Sequence, residues 1–419
     1  MRRERIMAWL LLICLLLAAC GEKEETSGDW RVMVATDLHY LAPSLTDHGP
    51  IFRRMMENSD GKITEYCDEI TDAFLDQVLA ERPEALILTG DLSFNGERES
   101  HLALAAKLAS LEEQGIAVLV LPGNHDLYRS QTYAYFGDSA EPVPSVTAEE
   151  FREIYAPFGF AEAIAADDDS LSYTARLNES SRVLMLDANT LHDFCGLSEK
   201  TLAWTEDQLR EARQAGETVL VCCHQNLYQH SMFGAGYVLD RAEQLHALLE
   251  QYGVPLMLSG HMHIQHIASR DGVTEIATSA LTMGACQYGI VEAKGEKLRY
   301  EARPVQVSAW AAEQGSTDGN LLDFESYARS AMTRRTRIQA EQQLRAKGFA
   351  EEEIGPLTDF ACALNEAYFA GDLSGIPDLD PEGEMLRRWA DSGSFFGYYF
   401  ASLQEDLGRD HTRWEMKES

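Results

Sequence analysis

Paired cysteines, basic charge and an apolar run of membrane-spanning length are all lacking in this 419-residue chain. Its eight cysteines show no CxxC or other paired spacing, which argues against a disulfide framework or a zinc finger. Lys and Arg total 35 against 68 Asp and Glu, for a formal charge of −33. A field this negative repels duplex DNA and anionic lipid, so no nucleic-acid duplex is expected as a partner. The apolar stretch at residues 6–19 is too short to cross a bilayer comfortably. No internal repeat or long low-complexity tract is visible, which removes solenoid and disordered-tail readings.

What the N-terminus does contain is a charged start, Met1-Arg2-Arg3-Glu4-Arg5, ahead of that apolar stretch, the pattern of a secretory signal. It ends in Leu17-Ala18-Ala19-Cys20-Gly21, which is similar to the bacterial lipoprotein signal whose cysteine is acylated and becomes the mature N-terminus. Residues 1–19 are expected to be the signal peptide, Cys20 the lipidated residue and 20–29 a polar linker. The protein is then expected at the cell membrane, lipid-anchored and facing the extracellular side. Loss of residues 1–19 takes the charge to about −35. Beyond Cys14 and Cys20, the thiols of Cys67, Cys195, Cys222, Cys223, Cys286 and Cys362 are scattered. Cys222-Cys223 closes a strand-like run, where alternation turns one thiol into the core, a structural role and not that of a ligand.

With 45% hydrophobic residues the chain can bury a large core, and its length suggests a main domain plus a smaller one. Strand-like segments at 31–36, 85–89, 116–121, 183–186, 218–223 and 255–259 alternate with helical patterns near 64–81, 98–114, 198–215 and 239–252, an α/β layout. After His263 come short β runs at 273–278, 288–293 and 298–303, read as antiparallel strands completing a second sheet. The expected fold is a two-sheet β-sandwich flanked by helices over 30–308, followed by a C-terminal all-helical domain at 309–419. The linker between them is turn-rich, at 314–320.

Five polar blocks each follow a strand-like run: Asp37-Leu38-His39, Gly90-Asp91, Gly123-Asn124-His125-Asp126, His224 and Gly260-His261-Met262-His263. In open α/β sheets, loops at the C-terminal strand ends gather ligands. Mixed imidazole, carboxylate and amide groups suit Mn, Fe or Zn. Two divalent ions close together need a bridging anion, and Asp91 is the natural bridge. Asp37, His39 and His263 suit one ion, and Asn124, His224 and His261 the other. His261 and His263 flank one residue, so an extended stretch points both the same way. Gly90, Gly123 and Gly260 stand directly before proposed ligands, where a missing Cβ allows close backbone approach and uncommon dihedrals. The blocks predict two metal ions, Mn and/or Fe or else Zn, acting on a small phosphoester.

In these blocks the chain resembles the calcineurin-like metallophosphoesterase family, over about residues 30–305. The resemblance implies a β-sandwich flanked by helices, a dinuclear centre and a role for His125 in bonding the substrate phosphate or protonating the leaving oxygen. A closer similarity, carried by residues 35–47 and Asn95-Gly96-Glu97, is to lipid-anchored Gram-positive members that are cyclic-nucleotide phosphodiesterase-like and share a helical C-terminal domain. One departure is an insertion at 40–63, expected beside the metals, where it shapes the substrate pocket.

The reaction that follows is hydrolysis of a phosphodiester, a cyclic nucleotide or related small diester, by a metal-activated hydroxide. The alternatives are an extracellular phosphomonoesterase or nucleotidase, and a partner-binding lipoprotein with little catalysis; no partner of the helical domain is identified. Asp187 and Asn189 are read either as groups behind the ligands or as a strand-end turn. His101, His192, His230, His246 and His266 are read as surface or packing residues. For the anchor, a Cys20→Ala form should leave the membrane and detergent fractions that hold the parent; equal retention of both forms would contradict lipidation.

Overall fold

Short aliphatic runs build two sheets packed face to face in the computed structural model, which describes residues 28–57, 61–190, 195–234, 236–295, 297–376 and 383–416. The signal segment with Cys20, and His192, lie outside the described residues. In the first sheet Trp30–Ala35, Ala85–Leu88 and Ala117–Val120 run parallel. Gln287–Lys294, Lys297–Pro304 and Arg413–Glu415 continue it antiparallel beyond Trp30–Ala35. In the second, Val273–Ala277, Leu256–Ser259, Thr218–Cys223 and Ser181–Leu186 run parallel. Antiparallel strands His266–Arg270 and Tyr173–Asn178 flank that block, with Ala165–Ala166 outermost on the far side.

Both faces of each sheet are covered, which is why the central strands read as unbroken apolar runs. Val32, Val34, Ile87 and Leu119 meet Val183, Met185, Leu220 and Leu258 between the sheets. Leu86, Leu88 and Val118 turn outward to the helices Cys67–Glu81 and Arg98–Glu113. The second sheet's outer face carries Glu199–Ala215 and Ala242–Tyr252. This double cover corrects one expectation: Cys222 enters the inter-sheet core and Cys223 the core under the helices, so both thiols are buried. All six described cysteines are free.

The strands after His263 divide differently from the expectation of one second sheet. Val273–Ala277 joins the second sheet, parallel to Leu256–Ser259, whereas Gln287–Lys294 and Lys297–Pro304 form a hairpin on the first. A local pattern shows that two strands pair; the neighbour they join is set by the distant Trp30–Ala35 strand.

The C-terminal region is helical: Val307–Glu313, Gly319–Leu322, Phe324–Ala346, Glu351–Ala370, Glu384–Asp391 and Phe395–Ser402. On the long Phe324–Ala346 helix the buried residues are Phe324, Ala328, Met332, Thr336, Ala340 and Leu344, a stripe at four-residue spacing that seats one face on its neighbours. Leu344, Leu357, Leu364, Trp389 and Phe400 share a core with Ile264 of the sheet region. The chain then returns through Arg413–Glu415 to the edge of the first sheet. No helix among the described residues is long and apolar enough to cross a membrane.

The 40–63 insertion takes two paths. Its helix Pro50–Glu57 and Asp47 bind the hairpin of Tyr133–Phe136 and Ser139–Pro142, with Ile51 N donating to Gly137 O at 2.9 Å and Gly137 N to Asp47 Oδ2 at 2.9 Å. Its end comes back toward Asp37: Ile63 N donates to Thr282 O at 2.8 Å, and Thr282 Oγ1 to Asp37 O at 3.3 Å.

Candidate metal centre

Parallel strands end at the same edge of their sheet, and here the two sheets' parallel blocks bring their C-terminal ends together. Asp37 and His39 follow Trp30–Ala35, Asp91 follows Ala85–Leu88, and Asn124 and His125 follow Ala117–Val120. From the second sheet, His224 follows Thr218–Cys223 and His261 and His263 follow Leu256–Ser259.

The turns there are tight enough to force uncommon backbone. Asp37, His39, Asp91, His261 and His263 all have φ between 41° and 70°, the left-handed region that costs roughly 1–2 kcal/mol per L-residue. Of the three glycines expected to serve this purpose, only Gly90 has positive φ, at 99°. The others are needed for room. A Cβ on Gly123 would lie 2.2 Å from Asp91 Oδ1, and one on Gly260 would lie 1.9 Å from Thr36 Oγ1 and 2.7 Å from Asp37 Oδ2.

Asp37, His39, Asp91 and His263 each offer one ligand atom, all within 4.8 Å of one another. His39 Nε2 lies 3.2 Å from His263 Nε2 and 3.7 Å from both Asp37 Oδ1 and Asp91 Oδ2. On the other side, the same Asp91 Oδ2 is 3.3 Å from His224 Nε2, which is 3.1 Å from Asn124 Oδ1. The His261 ring stands 5.1 Å from that of His224. All seven residues proposed as ligands are thus brought together in two groups that meet at Asp91. His125 sits beside them, its ring centroid 5.0 Å from that of His39 and its backbone N–H donating to Asp91 Oδ1 at 2.7 Å.

The group is almost closed to solvent: Asp37, His39 and His224 are 0% exposed and Asp91 1%. Burial disfavours the Asp91 carboxylate, yet the facing imidazoles of His224, His125 and His39 hold it well below the usual carboxylate range. Burial likewise works against a charged His224, but Asp91 and Asp37 raise it to about 9. His261, buried and facing His224, is driven down to about 3. Two buried carboxylates therefore demand positive charge at this point. Divalent cations would meet that demand and leave His224 neutral. Its geometry fits: Nδ1 faces Thr89 O at 2.9 Å, the outer hydrogen bond that fixes a metal-binding imidazole with Nε2 bare. Asp37 Oδ1 is buried and faces His263 Nε2 at 3.2 Å and His39 Nε2 at 3.7 Å, as expected of an oxygen that would share a cation with those rings.

The model of the calcineurin-like phosphoesterase family matches residues 31–265, over half of the chain. The chain belongs to the calcineurin-like phosphoesterase family, and it is a hydrolase. A second model, the C-terminal domain of cyclic nucleotide phosphodiesterase, matches residues 306–410. No curated protein sequence matches. Similar solved structures include a dimetal phosphatase from Danio rerio, 14% identical, covering 66% of this chain and 96% of that one at a TM-score of 0.48. Purple acid phosphatase PPD1 from yellow lupin seeds is 15% identical, covering 67% of this chain and 52% of its own at 0.43.

Within this calcineurin-like phosphoesterase, several residues behind the centre were given no role by sequence reasoning. Asp126 accepts from Leu92 N, Ser93 N, Ser93 Oγ and Gly123 N at 2.8–3.0 Å, tying the Asp91 turn to the Asn124 turn. Its place directly after His125 was the available signal. Asn95 Oδ1 lies 2.8 Å from His125 Nδ1. Glu275, an acid inside the apolar Val273–Ala277 strand, accepts from Leu227 N, Tyr228 N and Ser259 Oγ at 2.7–2.8 Å. Asn189 joins Pro122 O, at 2.9 Å, to the side chain of Gln225, whereas Asp187 accepts from Leu171 N and Asn189 N and closes the strand-end turn. The packing assignment fits His101, which is buried between Tyr155 Oη and Asp126 O, but not His230 and His266, which are buried and paired.

Because a methyl at position 123 would collide with the Asp91 carboxylate, Gly123→Ala should retain the far-UV circular dichroism of the parent while losing metal and about 10²-fold in turnover. Metal content and turnover at the parental level would show that this turn has slack the packing denies.

Proposed function

We propose that the chain is a dinuclear metal-dependent phosphodiesterase acting on cyclic nucleotides or related small diesters. The observation that carries the two-ion reading is the position of Asp91, whose Oδ2 lies 3.7 Å from His39 Nε2 and 3.3 Å from His224 Nε2. Asp37, His39 and His263 would hold one ion and Asn124, His224 and His261 the other, with Asp91 shared. Such ions, Mn or Fe by donor type and Zn as a third candidate, activate water and neutralise phosphoryl oxygens when bound. The diester preference rests on the second family model at residues 306–410. Residues 1–29 support an extracellular, membrane-anchored location through Cys20.

The chain's own residues bind and orient the substrate. Asn124 is uncharged, so it completes its group without adding to the negative charge that a phosphate must approach. His125 is held at Nδ1 by Asn95, leaving Nε2 for the substrate. Burial lowers its pKa, opposed by Asp91, so the ring is neutral until an anion arrives. A bound phosphate supplies the countercharge that favours the imidazolium, and Nε2 then has a hydrogen for the departing oxygen.

The test is one panel: a cyclic nucleotide, a nitrophenyl diester and a nitrophenyl monoester, each with parent and His125→Ala protein. The parent should turn over the diesters with higher kcat/KM than the monoester. His125→Ala should keep its metal and lose about 10²–10⁴-fold on the cyclic nucleotide, with far less loss on the nitrophenyl diester, whose leaving oxygen barely needs a proton. A monoester preference would defeat the diesterase reading. Equal losses on both diesters would defeat the acid role and leave phosphate positioning.

A further inference from the structure

The C-terminal region folds back onto the loops of the metal centre through a buried chain of ionisable groups. Glu275 is 0% exposed and receives His230 Nε2 at 2.8 Å, in addition to the loop groups at 227, 228 and 259. Those loops lead out of His224 and into His261. His230 Nδ1 faces His266 Nδ1 at 2.9 Å, and His266 Nε2 faces Asp406 Oδ1 at 3.1 Å. His411 stacks on His266 at 4.1 Å, with its Nε2 3.5 Å from the same Asp406 oxygen. Tyr368, from the Glu351–Ala370 helix, donates to His230 O at 2.9 Å and sets its ring 6.3 Å from that of His266. The same junction is closed by Gln265, whose N donates to Phe369 O and whose Nε2 donates to His411 O, both at 3.0 Å.

Counting hydrogens decides the charge state of this chain. Ionised Glu275 and Asp406 only accept, so His230 and His266 both donate through Nε2, and a neutral imidazole has a single hydrogen. Two neutral rings would leave bare Nδ1 lone pairs facing each other at 2.9 Å. The contact requires one further hydrogen. It does not reside on Asp406, which, against the effect of burial, the His266 and His411 hydrogen bonds hold well below the usual carboxylate range. Burial disfavours charge on His266 alone, and the hydrogen between the two Nδ1 atoms is balanced by the Glu275 carboxylate, 2.8 Å from His230 Nε2. A metal ion among His266, Asp406 and His411 is disfavoured by the third member. His411 Nδ1 accepts the Ile267 N–H at 3.1 Å, so its own hydrogen is on Nε2 and no lone pair points at the cluster.

We propose that His230 and His266 share one proton in the native protein, and that this buried imidazolium fastens the C-terminal region to the loops bearing His224, His261 and His263. The folded chain then holds a proton that the unfolded chain releases as pH rises, so the clamp weakens toward alkaline pH.

Asp406→Asn isolates the effect. Its amide N–H donates to His266 Nε2, His266 Nδ1–H to His230 Nδ1 and His230 Nε2–H to Glu275, so the three hydrogen bonds along the His266–His230–Glu275 chain survive between neutral rings, and only the longer His411 Nε2 contact with position 406, 3.5 Å in the parent, is given up. Unfolding of metal-loaded, full-length parent and variant is compared between about pH 6 and pH 9. The parent's folding constant should fall relative to the variant's by up to about tenfold per pH unit. Parallel curves would overturn the proposal, as would one more metal ion in the parent than in the variant. Should Asp406→Asn not fold, nitrogen NMR of the histidine-labelled, metal-loaded parent decides: one imidazolium persisting at about pH 7.5, where an ordinary imidazole is neutral, supports the clamp, and uniformly neutral rings overturn it.

Discussion

A carboxylate withdrawn from water must be matched by positive charge, and in this protein Asp91 is withdrawn almost completely while lying between two sets of imidazoles. Isolated burial of such an ion costs several kcal/mol, comparable to the whole net stability of a domain, about 5–15 kcal/mol. The surroundings show the demand directly: His224, itself buried, is raised to about 9 by Asp91 and Asp37. Two cations sharing Asp91 would satisfy the same demand with chemistry attached. That one electrostatic requirement matches the imidazoles that the strand ends of both sheets bring to Asp91, with the proposed ligands coming from five separate turns.

The convergence has a backbone cost. Five proposed ligands with positive φ, at roughly 1–2 kcal/mol each, add up to about as much as the net stability of a domain. Such conformations persist only where the surroundings over-determine them. Asp126 and Glu275 provide that restraint, each accepting several hydrogen bonds from turns on different strands. Both acids lie behind the proposed ligands, their carboxylates bonded to backbone and hydroxyl groups of the turns and, for Glu275, to His230. The C-terminal region extends the second of these anchors through His230, His266 and Asp406, so that a helical region remote in sequence bears on the loops of the centre.

Much of this was legible in the sequence because it is written locally. The five polar blocks, the apolar runs before them and the longer helices all carry their signal within a few residues. What escaped depends on distant partners. The Arg413–Glu415 strand is three residues of unremarkable pattern that become a strand only against Lys297–Pro304. Glu275 reads as one acid in an apolar run until Leu227 and His230 are placed against it. His230 and His266 resemble packing histidines because their meaning lies in a contact with each other and with Asp406. The left-handed φ values of Asp37, His39 and Asp91 have no sequence signature either, since these residue types are ordinary in turns. Two of the three glycines before ligands proved necessary for space and not for φ, a distinction that only the packed structure draws.

The shared role of Asp91 is tested most directly by counting tightly held transition ions in the parent and in Asp91→Ala, together with phosphoester turnover. The account predicts about two ions per chain in the parent, with loss of at least one ion and of turnover in the variant. An Asp91→Ala protein that retained both ions and turned over substrate like the parent would contradict it.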